Sequence, residues 1–155
     1  MLVQPAMAAP NLCIEGPSKV RNLATHALYH GNYGSAFRLF KWQAAGGSSF
    51  AQMKLGVMYR MGYGVPQDFA AAVEWWRKAA ERGNANAQCN LGFMYLYGVA
   101  VPEDPVTAYM WFNLAAGAGH RDARAKRDIV AAWRLNSGDL LEAQRLSSEW
   151  LAAHR

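Results

Sequence analysis

The sequence predicts an all-α protein, built as a solenoid of about four antiparallel helix pairs. Residues 51–83 and 87–119 are two copies of one pattern, 36 residues apart and identical at 15 of 33 aligned positions. Within each copy, apolar residues recur with the spacing of one helix face, and glycine and proline separate the helices. A period of about 20–50 residues is typical of solenoids, in which a unit buries its apolar face only against its neighbours.

Composition favours a folded domain. The chain has 155 residues, of which 52% are hydrophobic and 17% charged, so a disordered chain is excluded. The net charge of +5 is modest, and solvated helix faces explain it better than an acidic partner does. With two cysteines, Cys13 and Cys89, disulfides cannot link successive units. No apolar run reaches the roughly 20 residues of a membrane span.

Residues 1–16 are expected to form a flexible N-terminal segment, because they contain Pro5, Pro10 and Gly16 and show no sustained periodicity. The segment lacks a basic start and a long apolar stretch, so as written it indicates a cytoplasmic protein. However, Ala6-Met7-Ala8 resembles the end of a signal peptide. If translation starts upstream of Met1, we expect an exported or periplasmic protein.

The first unit is predicted to span 17–47. Its first helix covers about 18–30, and Gly31-Asn32-Tyr33 joins it to a second helix that ends at Gly47. This turn is tighter than the turns of the two copies, because it lacks the insertion that they carry.

The two copies define units 48–83 and 84–119. In the first, Ser48 is expected to cap a helix that stops at Gly62-Tyr63-Gly64, and Asp68 lies in the first turn of the next helix. In the second copy Ala100 replaces the glycine equivalent to Gly64, which predicts a different turn backbone.

Shared positions of the copies are expected to form the core. Because Trp75 is among them, we expect its truncation to alanine to cost about 3–5 kcal/mol. The predicted core residues are Leu55, Gly56, Tyr59, Ala72 and Trp75 in unit 48–83, and Leu91, Gly92, Tyr95, Ala108 and Trp111 in unit 84–119.

Residues 120–155 are predicted to close the solenoid with a capping helix pair. One helix covers 120–134, and Ser137 and Asp139 begin the last, amphipathic helix. Its polar face suits the end of a repeat array, because a terminal unit has solvent on its outer side.

The pattern A-x3-LG-x2-Y-x2-G-x-G-V-P-x-D-x3-A-x2-W-x3-AA-x2-G resembles the Sel-1-like repeat, a relative of the tetratricopeptide repeat. It is complete at 51–83 and nearly complete at 87–119, and the resemblance extends over roughly 18–153. The resemblance implies a right-handed superhelix of helix pairs that acts as an adaptor for proteins or peptides. It implies no cofactor.

The resemblance also indicates candidate contact residues, because the first helix of each pair lines the concave face in solenoids of this kind. These positions differ between the copies, whereas the core positions are alike. Aromatic, methionine and arginine side chains are common among them, as they are at binding hot spots. The candidates are Met53, Arg60, Met61, Asn90, Phe93, Tyr97 and Trp133.

No catalytic or metal-binding set emerges from the motifs. His26 and His30 are spaced to share a helix face, but the HExxH glutamate and a third ligand are missing. Gly62 and Gly64 lack the strand and the Gly-Lys-Ser/Thr of a phosphate loop. Cys89 has no evident base nearby and is better explained as a small buried residue.

Two function classes remain besides an enzyme. The favoured interpretation is a non-catalytic scaffold that binds another protein or a peptide in the concave groove, with no cofactor, metal or small-molecule substrate. The alternative is a binder of an acidic polymer or surface (nucleic acid, anionic glycan or membrane) through the basic segment 121–127. Nucleic acid is the less favoured partner, because the net charge is modest.

Overall fold

The structure, a computed structural model, describes residues 17–155, so the predicted flexible segment 1–16 lies outside the described residues. Residues 17–155 form eight helices and contain no strand, which confirms the predicted all-α class. The helices are α1 (Pro17–Tyr29), α2 (Tyr33–Ala45), α3 (Ser49–Met61), α4 (Phe69–Glu81), α5 (Ala85–Tyr97), α6 (Pro105–Gly117), α7 (Ala123–Arg134) and α8 (Ser137–Ala153). None of them is both long and apolar enough to cross a bilayer.

Successive helices pack against one another from α1 to α7, as in a solenoid. The pairs α1–α2, α3–α4 and α5–α6 make the most extensive contacts, and the second helix of each pair touches the first helix of the next. We call α1, α3, α5 and α7 the inner helices and α2, α4, α6 and α8 the outer helices. Successive inner helices also meet, since Arg21 of α1 lies over the Phe50 ring of α3 and Lys126 of α7 over the Phe93 ring of α5.

The helix ends follow from short polar side chains and glycine. Ser48 and Asn84 accept hydrogen bonds from backbone N–H groups three residues on, and the N-cap role predicted for Ser48 is confirmed. Gly62 closes α3 with a left-handed φ of 71°, as predicted. Asp68 is itself the N-cap of α4, accepting from Ala71 N at 3.0 Å, one residue before the helical turn in which it was expected.

The turns of the two copies have the same backbone, contrary to expectation. Ala100 has a φ of 59°, close to the 72° of Gly64, and is the one non-glycine residue with positive φ in the described part of the chain. The prediction of a different turn at Ala100 is therefore wrong. The surrounding contacts hold both turns alike, because Asp68 N and Asp104 N donate to the Tyr59 and Tyr95 carbonyls at 2.9 and 2.8 Å.

The core of each repeat is an aromatic ring laid on a glycine of the facing helix. Trp76 is only 1% exposed and covers Gly56, and the fully buried Phe112 covers Gly92 in the same way. The expectation that Trp75 is the buried tryptophan is wrong by one position, because Trp75 is half-buried. Residues adjacent on a helix lie about 100° apart, so only Trp76 can face Gly56.

The other predicted core positions are mostly enclosed. Trp111 is 7% exposed because Trp150 of α8 packs against it, with ring centroids 6.1 Å apart. Tyr59 and Tyr95 are half-buried at the edge of the core. The buried predicted positions are Leu55, Gly56, Ala72, Leu91, Gly92, Ala108 and Trp111.

The C-terminal segment departs from the prediction in two details. Helix α7 begins at Ala123 and not at 120, because Gly119 has a φ of 90° and residues 121–122 form a turn. Helix α8 begins at Ser137, as predicted, and Asn136 is its N-cap in a capping box with Asp139. Helix α8 packs mainly on α6 and not on α7.

Candidate functional site

A cleft opens between the inner helices α3 and α5, with α4 as its floor. Its volume is about 370 Å³, at the small end of the range of ligand pockets. Four of the seven predicted contact residues line it, namely Arg60, Asn90, Phe93 and Tyr97. The remaining lining residues are Phe69, Trp76, Met94 and Val99. We refer to it as the α3–α5 cleft.

Phe93 forms a rigid wall of this cleft. Its ring packs edge-on against Phe112, with centroids 5.2 Å apart, and lies parallel to Tyr97 at 6.3 Å. Lys126 Nζ of α7 lies 4.8 Å from the Phe93 ring centroid, a cation–π contact. Phe93 is therefore half-buried and fixed by its neighbours, whereas Tyr97 is 65% exposed.

Large apolar side chains stand exposed at one repeated position of the inner helices. Met61, Tyr97 and Trp133 follow one another at 36-residue intervals near the ends of α3, α5 and α7, and they are 48%, 65% and 81% exposed. We call these three residues the exposed apolar row. Tyr29, the last residue of α1, is 77% exposed at the corresponding helix end. Burial of large apolar groups is the norm, and these three side chains are exposed at a regular interval of the sequence.

Met53 does not belong to this surface. It was predicted as a contact residue, but it is 7% exposed and lies in the core beside Trp76. Its carbonyl oxygen accepts a hydrogen bond from Trp76 Nε1 at 3.2 Å. The reason is helical register, because Met53 lies on the side of α3 that faces α4.

Four lining residues were not among the predicted contacts, namely Phe69, Trp76, Met94 and Val99. Phe69 begins α4 and Val99 lies in the turn after α5, whereas the predicted contacts all lie on inner helices. The available signal was an apolar residue at a turn, since Phe69 follows the N-cap Asp68 and Val99 lies between Gly98 and Ala100. Met61 and Trp133 are exposed but do not line the cleft.

Within residues 21–155, no three His, Cys, Asp or Glu side chains are placed to share a metal ion. The His26 and His30 rings lie against each other on α1, with centroids 4.1 Å apart. Cys89 is 3% exposed, and burial raises the pKa of its thiol, against the opposing effect of Lys126.

The basic segment 121–127 is partly engaged in internal contacts. Arg127 pairs with Asp128 at 2.7 Å and donates to Asn113 Oδ1 at 3.1 Å. Lys126 rests on Phe93. Arg121 and Arg124 remain exposed, with Asp122 between them.

The stacked helix pairs, the glycine–aromatic core contacts and the apolar surface along the inner helices define an α-helical repeat solenoid. The family model of the Sel1 repeat matches residues 49–84 and 85–120. The protein is a Sel1-like repeat protein, and the predicted recognition and fold are confirmed. The exact division into units remains a prediction.

Solved structures show the same architecture. A protective antigen of uropathogenic Escherichia coli strains, with an SLR fold, matches 92% of the chain at 30% identity with a TM-score of 0.84. A Sel1 repeat protein from Oxalobacter formigenes also matches 92% of the chain, at 22% identity with a TM-score of 0.74. The chain spans 31% of the antigen and 61% of the Oxalobacter protein. No curated protein matches the sequence.

Proposed function

We propose that this protein is a non-catalytic scaffold that binds a protein or peptide partner on the concave face formed by its inner helices. Sel1-like repeats generally serve as protein-interaction scaffolds, and solenoids of this type use extended concave surfaces for binding. The observation that carries the proposal is the exposed apolar row. Its members recur at 36-residue intervals on the inner helices α3, α5 and α7, where a partner can cover them.

The residue types support this assignment. Tyrosine, tryptophan, methionine and arginine are enriched at interfaces relative to the rest of a protein surface. Core positions repeat between the copies, but Val57 is replaced by Phe93 and Met61 by Tyr97 at the inner surface. A surface that varies on a constant core is what a recognition module requires.

Binding of an acidic polymer through 121–127 has weaker support. Such binding depends on exposed cations that can contact successive phosphate or sulfate groups. Arg127 is held by Asp128, and Asp122 and Asp128 place negative charge within the same segment. No observation favours this function over the scaffold.

The proposal can be tested by site-specific photo-crosslinking in the native cell. A benzophenone amino acid replaces Tyr97, Trp133 or, as a control, Leu141, which is 70% exposed on the outer helix α8. We expect one protein to be cross-linked from both Tyr97 and Trp133 and not from Leu141. Cross-linking of that protein from Leu141 with equal yield, or from none of the three positions, would show that the concave face is not the binding surface.

A paired set of variants measures the contribution of the row. Once a partner is known, we expect Tyr97→Ser/Trp133→Ser to weaken its binding by at least about tenfold, the usual effect of truncating aromatic hot-spot residues. The matched control, Leu141→Ser/Leu151→Ser, removes two exposed apolar side chains from α8 and should bind as the wild type does.

A further inference from the structure

Charge is distributed unevenly between the two layers of helices. The inner helices contain two basic residues in α1, two in α3 and four in α7, against Asp128 as their one acidic residue. The outer helices carry five basic and five acidic residues. The positive charge of the protein is therefore concentrated on the layer that bears the exposed apolar row.

Two of the five outer-helix cations form ion pairs within their own helix, whereas the two cations beside the cleft form none in the described part of the chain. Arg77 pairs with Glu74, and Arg145 pairs with Glu142 and Glu149, all on outer helices. Asp128, the one acidic residue of the inner helices, forms an ion pair with Arg127. No carboxylate of residues 21–155 lies within ion-pairing distance of Arg60 or Lys126. The aromatic ring under Lys126 cannot neutralise its charge.

The α3–α5 cleft combines these two properties. Its walls are mainly apolar, from Phe69, Phe93 and Tyr97, and its polar lining consists of Arg60 and Asn90. Lys126 does not line the cleft, but its Nζ lies 4.8 Å from the centroid of the Phe93 ring, which does. An apolar side chain that enters the cleft thus has one cation of α3 beside it and a second cation, on α7, next to the Phe93 wall.

We propose that the partner segment is an acidic peptide, with a large apolar side chain in the α3–α5 cleft and Asp or Glu carboxylates against Arg60 and Lys126. This inference rests on the proposed scaffold function and adds the chemistry of the ligand. Complementary charge steers the encounter and excludes basic segments, because like charges at an interface cost binding energy. The apolar side chain in the cleft adds affinity through the burial of apolar surface, which the charged contacts do not provide.

The test is a phage-displayed library of random peptides, about twelve residues long, a length that can cross several helices of a solenoid. It is selected in parallel on the full chain, on Arg60→Glu and on Tyr97→Ser/Trp133→Ser. We expect clones from the wild type to be enriched in Asp and Glu together with Phe, Trp or Leu. A synthetic consensus peptide should bind Arg60→Glu at least about tenfold more weakly. It should bind Arg38→Glu, a matched charge reversal on the exposed face of α2, as it binds the wild type.

The outcomes separate this inference from the scaffold proposal. Wild-type clones with basic residues or without charge bias would overturn the acidic ligand but leave the concave face as a binding surface. Acidic clones without large apolar residues would overturn the anchored peptide in favour of polyanion binding. Recovery of the same clones from Tyr97→Ser/Trp133→Ser would overturn both proposals.

Discussion

Trp76 packs against Gly56 and donates its Nε1 hydrogen to the carbonyl oxygen of Met53 at 3.2 Å. A β-carbon on Gly56 would overlap the indole, so the absence of a side chain there sets how closely α3 and α4 approach. Phe112 and Gly92 repeat the contact between α5 and α6, where a Cβ would lie 2.6 Å from the ring. The phenyl ring has no N–H, so the equivalent hydrogen bond exists only in the first copy.

Truncation of Trp76 should therefore destabilise the protein far more than truncation of its neighbour. We expect Trp76→Ala to lower the free energy of unfolding by about 3–5 kcal/mol, the usual cost of removing a buried tryptophan. Trp75→Ala should cost about 1–2 kcal/mol, because the ring is half-buried. Urea titrations followed by circular dichroism measure both values. Trp133→Ala, at an 81% exposed position, is the control and should change the free energy of unfolding little. An equal loss of stability for the Trp75 and Trp76 variants would contradict the assigned register of α4.

Addition of a methyl group at Gly56 should also be destabilising. Alanine is the better helix former by about 1 kcal/mol, but the indole above Gly56 is enclosed and cannot move aside. We expect Gly56→Ala to cost about 1–3 kcal/mol overall, the range for overpacked cores. Its thermal midpoint should fall in differential scanning calorimetry.

Gly117→Ala is the matched control for that substitution. Gly117 ends α6, and an added Cβ would meet nothing within 4 Å. Its midpoint should be unchanged or slightly raised. If Gly56→Ala behaves in the same way, close helix approach is not the function of Gly56.

The fold could be predicted because repetition makes each structural role visible twice. Helix faces, glycine stops and the period all follow from elementary propensities that the two copies share. The choice between Trp75 and Trp76 could not be made in this way, since the two copies have aromatic residues at both positions. It depends on which residue faces Gly56, and this is a tertiary property of the helix pair.

The turn residues Gly64 and Ala100 lead to a pair of opposite predictions. Ala100 adopts a φ of 59°, which costs an L-residue about 1–2 kcal/mol. Replacement by glycine removes that strain but increases the entropy of the unfolded chain, so we expect Ala100→Gly to stabilise the protein by about 0.5–1 kcal/mol.

Gly64→Ala should instead destabilise the protein by at least about 2 kcal/mol. It introduces the same strain, and its Cβ would lie 2.5 Å from the Tyr33 carbonyl oxygen. Chemical denaturation of the two variants, at equal protein concentration, measures both effects. Destabilisation by Ala100→Gly would indicate that the φ at that turn differs from the one described.

The candidate surface was predicted in part, for a physical reason. Exposed positions on inner helices follow from helical period once the core is known, which explains why Arg60, Asn90, Phe93 and Tyr97 meet in one cleft. Met53 was wrongly predicted as a contact residue, because a methionine suits a core and an interface equally well. The imbalance of charge between the inner and outer helices could not be predicted, because it depends on the layer to which each helix belongs.

Cys89 should react slowly in the folded protein. The thiolate is the reactive species, and burial both shields the sulfur and raises the thiol pKa. In a Cys13→Ser background, we expect Ellman's reagent at neutral pH to label Cys89 at least about a hundredfold more slowly than in concentrated urea, because labelling requires local opening.

The raised pKa of Cys89 also affects stability, because its thiol stays protonated to a higher pH in the folded state than in the unfolded state. The contribution of Cys89 to stability is therefore complete below the ordinary thiol pKa of about 8.5 and is lost as pH rises towards the folded value. Cys89→Ala should remove that part of the loss of stability at alkaline pH. In the labelling experiment, rapid reaction of the folded protein would show that the interface between α5 and α6 opens at Cys89.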